Sequence, residues 1–195
     1  MVFATPEQAG SDRAILYMHG LCGEALAFRT WSSAVAPWGT LVALQGDIPC
    51  DVPYRFSWNY DARSLQARIE RALDGVARAR GRAVSHNDLT IIGYSQGALR
   101  AEALAKRFSS QYTRVILISG PRPPHLDGFS KHQRIVLMSG AIEDSRELRR
   151  AADLLRAKGL AANFFVLPNA GHGDYGPDAE QAMSKTLEWV FGAAP

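Results

Sequence analysis

The sequence has no long apolar run and no concentration of charge of one sign. None of its 195 residues falls in a stretch that approaches the ~20 consecutive apolar residues needed to cross a bilayer, so no membrane span is expected. Its 22 basic and 19 acidic residues are scattered, which argues against nucleic-acid binding. The first residues lack the basic-then-apolar profile of a secretory signal, and the chain as given is expected to be soluble.

Cysteine is almost absent as well. Cys22 and Cys50 are the only two, and they stand neither in a Cys-x-x-Cys spacing nor among clustered histidines. No metal site is therefore expected. Two alternatives stay open, a pair of free buried thiols or a disulfide. The compartment stays open with them: cytoplasmic if the sequence is complete, periplasmic or secreted if a signal has been removed and the cysteines are bonded.

Short apolar runs alternate with longer amphipathic ones along the chain. The short runs are rich in Val, Ile, Leu and Phe, which is typical of strands buried on both faces of a parallel sheet. Strands are predicted at residues 14–19, 40–45, 89–94, 114–119, 134–139 and 163–168. Helices are predicted at residues 24–36, 61–80, 97–109, 145–158 and 177–191. The alternation predicts a single α/β domain over residues 1–195, with a mainly parallel sheet of about six or more strands flanked by helices on both faces.

Only a short polar stretch separates the fourth and fifth predicted strands. Residues 120–133 read GPRPPHLDGFSKHQ, and their prolines and glycines argue against a long helix. The sequence therefore leaves no room for a lid domain at this point of the chain.

A serine stands between two glycines where a predicted strand meets a predicted helix. The segment GYSQG covers residues 93–97 and matches the pattern G-x-S-x-G in the strand-turn-helix context that gives the pattern its meaning. A turn this sharp strains the backbone of Ser95, and the flanking glycines remove Cβ atoms that would clash. The N-terminus of the following helix favours negative charge beside the hydroxyl. Ser95 is therefore predicted to be a nucleophile.

A serine hydroxyl needs a base at neutral pH, and histidine is the usual one. His172 lies in the segment LPNAGHGDYGP, a Gly-rich loop after the last predicted strand, where its side chain can reach the carboxyl ends of the strands. It is the predicted base. His19 is expected to be structural, and His125 and His132 are expected to be solvated loop residues.

The base is in turn oriented by an acid, and two neighbouring residues can supply one. Glu143 and Asp144 follow the fifth predicted strand in GAIEDSRE, so the chain order is Ser, acid, His. Asp144 is preferred because the shorter side chain is the commoner orienting group. Glu143 is the alternative. Either carboxylate could instead complement the N-terminus of the following helix.

Two backbone amides are predicted to form an oxyanion hole, which holds the negative charge that develops on the attacked carbonyl oxygen. One is the N–H of Gln96, directly after the serine. The other is the N–H of Leu21 in HGLCGEA, where Gly20 permits an unusual turn after the first predicted strand.

Aromatic residues alternate in the segment PYRFSWNYD, residues 53–61. Phe56 and Trp58 are the candidates to line an apolar pocket for an acyl group beside Ser95. Packing of this loop in the core is an equally open alternative.

The segments HGLCG, GYSQG, the acid after VLMSG, and GHG follow one another in an order that resembles the α/β-hydrolase superfamily, and the similarity covers nearly the whole chain. The small size, GYSQG and FSWNYD are similar to the phospholipase/carboxylesterase group, which includes acyl-protein thioesterases and dienelactone-hydrolase-like enzymes. In that group the acid usually stands three residues after a glycine, a spacing that favours Glu143 after Gly140. The Val-Pro that usually follows the acid in that group is missing here. The resemblance implies a lidless serine hydrolase of carboxylic esters or thioesters that needs no cofactor.

Under this interpretation the partner is a small-molecule or acylated substrate, with no nucleic acid involved and the oligomeric state left open. Two other functions stay open. The same triad serves amide and C–C bond hydrolysis, and the same fold can bind a ligand without catalysis.

Overall fold

The protein is built from short strands and longer helices, described over residues 2–5 and 11–192 of a computed structural model. The strands are β1 Val2–Ala4, β2 Ala14–Met18, β3 Thr40–Leu44, β4 Ile48–Pro49, β5 Phe56–Ser57, β6 Leu89–Tyr94, β7 Tyr112–Ile118, β8 Arg134–Gly140 and β9 Ala161–Leu167. The helices are α1 Ser32–Val35, α2 Ala62–Arg80, α3 Gln96–Arg107, α4 Arg146–Ala157 and α5 Ala179–Phe191, with a 3₁₀ helix, Ala25–Trp31, before α1.

Seven of these strands form one sheet in the order β1-β3-β2-β6-β7-β8-β9. Only β1 runs antiparallel to its neighbour, so the prediction of a mainly parallel sheet is confirmed. Strands β2, β3 and β6 are buried along their whole length, as their continuous apolar runs require. Helices α2, α3 and α4 pack on one face of the sheet, and the 3₁₀ helix, α1 and α5 pack on the other.

The six predicted strands are all present with ends within about two residues of the prediction, whereas β1 and the small β4–β5 hairpin were not predicted. Those three strands have only two or three residues each, too few to show an apolar period. The helix predicted at 24–36 is largely a 3₁₀ helix. Its buried residues are Ala25, Phe28 and Trp31, and this spacing of three suits the three residues per turn of that helix.

The connections at the carboxyl ends of the strands range from the single residue between β6 and α3 to the 15 residues between β7 and β8. Residues 119–133, between β7 and β8, form turns and bends without a helix, in agreement with the expected absence of a lid there. Among the described residues, no helix combines the length and the apolar character needed to cross a bilayer. Because β2, β6, β8 and β9 are parallel, the loops that follow them meet at one edge of the sheet.

Candidate active site

Ser95 occupies the sharp turn between β6 and α3. Its φ and ψ angles are 51° and −116°, a conformation that residues with a side chain rarely adopt. A Cβ atom at Gly93 would lie 2.3 Å from the carbonyl oxygen of Gly97, and one at Gly97 would lie 2.1 Å from that of Met18. Only glycine fits at either position, so the two glycines of GYSQG make the turn possible.

The Ser95 hydroxyl lies at the start of a chain of hydrogen-bonded side chains. Its Oγ is 3.1 Å from Nε2 of His172, and Nδ1 of His172 is 2.9 Å from Oε2 of Glu143. These three residues come from the loops after β6, β9 and β8. The structure thus brings together the predicted nucleophile, the predicted base and one of the two candidate acids.

The carboxylate of Glu143 is held at both oxygens. Its Oε1 accepts hydrogen bonds from the Ser119 hydroxyl and from the Gly140 amide, the latter at 2.8 Å. Burial acts to raise the pKa of Glu143, but the hydrogen bonds from Ser119, Gly140 and His172 outweigh it and hold the pKa below its ordinary value. Glu143 is therefore ionised at neutral pH, as an orienting carboxylate must be.

Asp144 does not reach the histidine, and the preference for it over Glu143 is corrected. Its carboxylate binds the guanidinium of Arg146 and accepts the Arg146 backbone N–H, in an exposed position at the start of α4. The Arg146 hydrogen bonds lower the pKa of Asp144 to about 2. Glu143 points back under the turn after Gly140 toward Ser119, whereas the next residue faces solvent. Asp144 has the alternative role considered from sequence, a carboxylate at a helix N-terminus.

The turn Gly20–Gly23 lies against the nucleophile. It is closed by a 3.0 Å hydrogen bond from the Gly23 amide to the Gly20 carbonyl, and a Cβ at Gly20 would be 3.3 Å from that of Ser95. Leu21 stands in this turn, and Gln96 begins α3 on the other side of Ser95. Within the described part of the chain, neither the Leu21 nor the Gln96 amide donates to a protein acceptor.

Comparison with known protein families and with curated proteins finds no match to the sequence of this chain. Its structure is similar to that of a Bacillus cereus carboxylesterase, with a TM-score of 0.68 and 18% identity over 96% of this chain and 93% of the other. It is also similar to that of a Mesorhizobium loti carboxylesterase, with a TM-score of 0.66 and 21% identity over 94% of this chain and 90% of the other. A third similar structure is that of the Staphylococcus aureus fluorophosphonate-binding serine hydrolase F, with a TM-score of 0.64 and 12% identity over 96% of this chain and 88% of the other. This chain has the α/β-hydrolase fold.

In this α/β-hydrolase fold, His19 at the end of β2 shapes the turn beside the nucleophile. Its Nδ1 is 2.7 Å from the Gly20 carbonyl and its Nε2 is 2.9 Å from the Gly46 amide. A carbonyl only accepts and an amide only donates, so the proton is on Nδ1 and the ring is neutral. Burial lowers the pKa of His19, which favours the same neutral form. His19 is thus a structural residue, as expected from sequence.

The α/β-hydrolase fold buries Trp58, which was predicted to line the substrate pocket. The residue is fully buried, its indole N–H donates to the His19 carbonyl at 2.8 Å, and its backbone N–H donates to Oε1 of Gln96. Phe56 is half-buried and lines a cavity of about 410 Å³ that includes neither Ser95 nor His172. The assignment of Trp58 is corrected, because a period of two in the aromatics does not reveal which face of a segment turns to the core, and the assignment of Phe56 stays a prediction.

A different cavity, of about 380 Å³, is lined by chain neighbours of the catalytic residues, although not by Ser95 or His172 themselves. Its lining includes the turn Gly20–Gly23 together with Tyr94 and Gly173, the chain neighbours of Ser95 and His172. The buried hydroxyls of Tyr17 and Tyr175, which also line it, are 2.7 Å apart. Sequence reasoning missed these tyrosines. Their only signal is a polar atom within apolar surroundings, in a buried strand and in the loop that carries His172.

Cys22 and Cys50 form a disulfide, which settles the alternative left open by the sequence. Their Cα atoms are 5.8 Å apart, and the bond connects the turn Gly20–Gly23 with the loop between β4 and β5. A cross-link over 28 residues restricts the unfolded chain and in this way stabilises the fold. It also restrains the turn that presents the Leu21 amide.

Proposed function

We propose that this protein is a serine hydrolase that cleaves a carboxylic ester or thioester through an acyl-serine intermediate. The observation that carries the proposal is the continuous chain of hydrogen bonds from Ser95 through His172 to Glu143, which starts at a strained strand-to-helix turn. Such a chain activates a hydroxyl that would otherwise be a poor nucleophile. The structural neighbours, two carboxylesterases and a serine hydrolase, support it.

The first half of the reaction forms the acyl-serine. The Ser95 oxygen attacks the carbonyl carbon while Nε2 of His172 takes the hydroxyl proton. Glu143 accepts the Nδ1–H of the ring and stabilises the imidazolium that results. The Leu21 and Gln96 amides donate to the oxygen that becomes negative.

The second half returns the enzyme to its starting state. His172 gives its proton to the departing alkoxide or thiolate, and the carbonyl re-forms as the bond to the leaving group breaks. Water then attacks the acyl-serine, with His172 taking a proton from it. Collapse of this second intermediate releases the carboxylic acid and returns the proton to the Ser95 oxygen. Every proton transfer in these reaction steps goes through Nε2 of His172, so the residues of the chain suffice without a cofactor.

A fluorophosphonate probe tests the proposal directly, since it forms a covalent bond with an activated serine. We expect one phosphonyl group per chain, mapped by peptide mass spectrometry to the segment that contains Ser95. Heat-denatured protein and the Ser95→Ala variant should remain unlabelled. A folded protein that resists the probe would favour a ligand-binding function, and labelling of another serine would place the nucleophile elsewhere.

The size and openness of the site predict its preference among esters. A cavity of about 380 Å³ lined by chain neighbours of Ser95 and His172, with no helix over it from residues 119–133, suits short and medium acyl groups in solution. We expect kcat/KM for nitrophenyl esters to fall from butyrate to palmitate. We also expect no rise in rate when a triglyceride passes its solubility limit. A jump in rate at that limit would contradict the open site.

A further inference from the structure

Two hydroxyl groups that contact the catalytic acid and the loop of the catalytic base take no part in the proposed reaction steps. The Ser119 hydroxyl, at the end of β7, donates to Oε1 of Glu143. The Tyr94 hydroxyl, at the end of β6, accepts the Gly173 amide at 2.6 Å, next to His172 in the chain. One hydroxyl therefore holds the acid and the other holds the loop of the base.

The backbone of Ser119 is in an unfavourable conformation. Its φ is 47°, although the residue carries a side chain, and it is 2% exposed. Glycine would adopt this φ without the steric conflict of a Cβ atom. The Ser119 amide donates to the Met138 carbonyl at 2.8 Å, so the conformation is fixed by the neighbouring strand β8. Strain of this kind is concentrated at functional sites, and here it aims a hydroxyl at the acid.

Tyr94 connects the two sides of the site. Its ring lies against the His172 ring, with centroids 5.8 Å apart, and its hydroxyl accepts the Gly173 amide. Burial raises the pKa of Tyr94, so that the phenol keeps its proton at neutral pH. A protonated phenol can accept from the amide and still donate, which an ionised one cannot.

We infer that Ser119 and Tyr94 are positioning residues that hold Glu143 and the His172 loop as one unit. The inference rests on the proposed function and deepens it. Ser119 fixes the rotation of the Glu143 carboxylate so that Oε2 faces Nδ1 of His172. Tyr94 fixes the position of the loop at Gly173, and with it the distance from Nε2 of His172 to the Ser95 hydroxyl.

Replacement of Ser119 separates this role from a purely structural one. Ser119→Gly removes the hydroxyl and relieves the backbone at positive φ, so the unfolding temperature should not fall. We expect kcat to drop about ten- to hundred-fold with KM within a factor of two, because a carboxylate whose Oε1 is held only by the Gly140 amide loses its alignment. Ser119→Ala should lose as much kcat. Ser139→Ala is the matched control, since that buried hydroxyl has no partner among the described residues.

Tyr94→Phe should lower kcat about ten-fold by leaving the Gly173 amide without its acceptor. Tyr112→Phe is its control. It also removes a buried tyrosine hydroxyl, one that donates to Gln66, but Tyr112 stands at the start of the neighbouring strand β7, at the opposite end of the sheet from the site. The double variant Ser119→Gly/Tyr94→Phe should have about the same kcat as the less active of the two single variants, since the effects of residues that act as a unit do not add. If the loss of kcat in the double variant equals the product of the two single losses, Ser119 and Tyr94 do not act as one unit. An unchanged kcat in both single variants would overturn the inference.

A second measurement does not depend on activity. The Nδ1 proton of His172, hydrogen-bonded to Glu143, should give a low-field proton NMR signal that moves or broadens in Ser119→Gly and stays in Ser139→Ala. If the protein hydrolyses no ester and the signal still responds, the proposed function fails while the positioning network stands. A signal unaffected by Ser119→Gly overturns the network whatever the activity.

Discussion

Ser95→Ala is expected to lower kcat for an activated ester by a factor on the order of 10⁶, the loss measured when a serine protease loses its nucleophile. The exchange removes one oxygen atom and one contact, the 3.1 Å contact with His172. Alanine carries a Cβ atom as serine does, so the strain at a φ of 51° stays in place and the turn and the unfolding temperature should be unchanged. Steady-state kinetics together with a thermal melt measure both quantities.

The control for this variant is Ser139→Ala, which removes another buried serine hydroxyl outside the hydrogen-bonded chain and should leave kcat unchanged. A Ser95→Ala protein that folds and keeps more than a few per cent of the wild-type kcat would show that Ser95 is not the nucleophile. Addition of a fluorophosphonate to that protein would then report whether a second serine reacts.

The strand-to-helix turn at Ser95 could be predicted from sequence because its requirements are local. Gly93 and Gly97 are needed within five residues of one another, and the structure shows the contacts that exclude any larger residue at both. The central strands were predictable for a similar reason. Strands β2, β3 and β6 are buried on both faces, and such burial leaves continuous apolar runs in the sequence.

The choice between Glu143 and Asp144 depends on where a turn points its side chains. The spacing from Gly140 favoured Glu143 and the length of the side chain favoured Asp144, so the sequence did not decide between them. Ser119 decides the matter in the structure, because its hydroxyl lies where a carboxylate from position 143 arrives. The contact joins the ends of two neighbouring strands, β7 and β8, and becomes visible only when the sheet is assembled. Trp58 was misplaced for the same reason, since its burial depends on His19 and Gln96 from other elements.

The second large effect concerns the acid, and Glu143→Gln and Asp144→Asn test it as a matched pair. Oε1 of Glu143 is occupied by two donors, the Ser119 hydroxyl and the Gly140 amide. In Glu143→Gln the amide oxygen must take that place, which turns the NH₂ group toward Nδ1 of His172. The ring is then forced into the wrong tautomer, with its proton on the nitrogen that should accept from Ser95. The equivalent change in a serine protease costs about 10⁴ in kcat, and we expect a loss of that order here.

Asp144→Asn should keep kcat near the wild-type value, because Asp144 is exposed and bound only to Arg146 among the described residues. The pH dependence of folding gives Glu143→Gln a second expected effect, although the lowered pKa of Asp144 acts in the same direction. The lowered pKa of Glu143 means that its ionised form stabilises the folded state above the ordinary carboxyl pKa of about 4.3, and that this contribution is lost as the pH falls through the lower folded value. Glu143→Gln should therefore weaken the decline in stability over that acidic range. An inactive Asp144→Asn beside an active Glu143→Gln would contradict the structure, and two active variants would place the acid elsewhere.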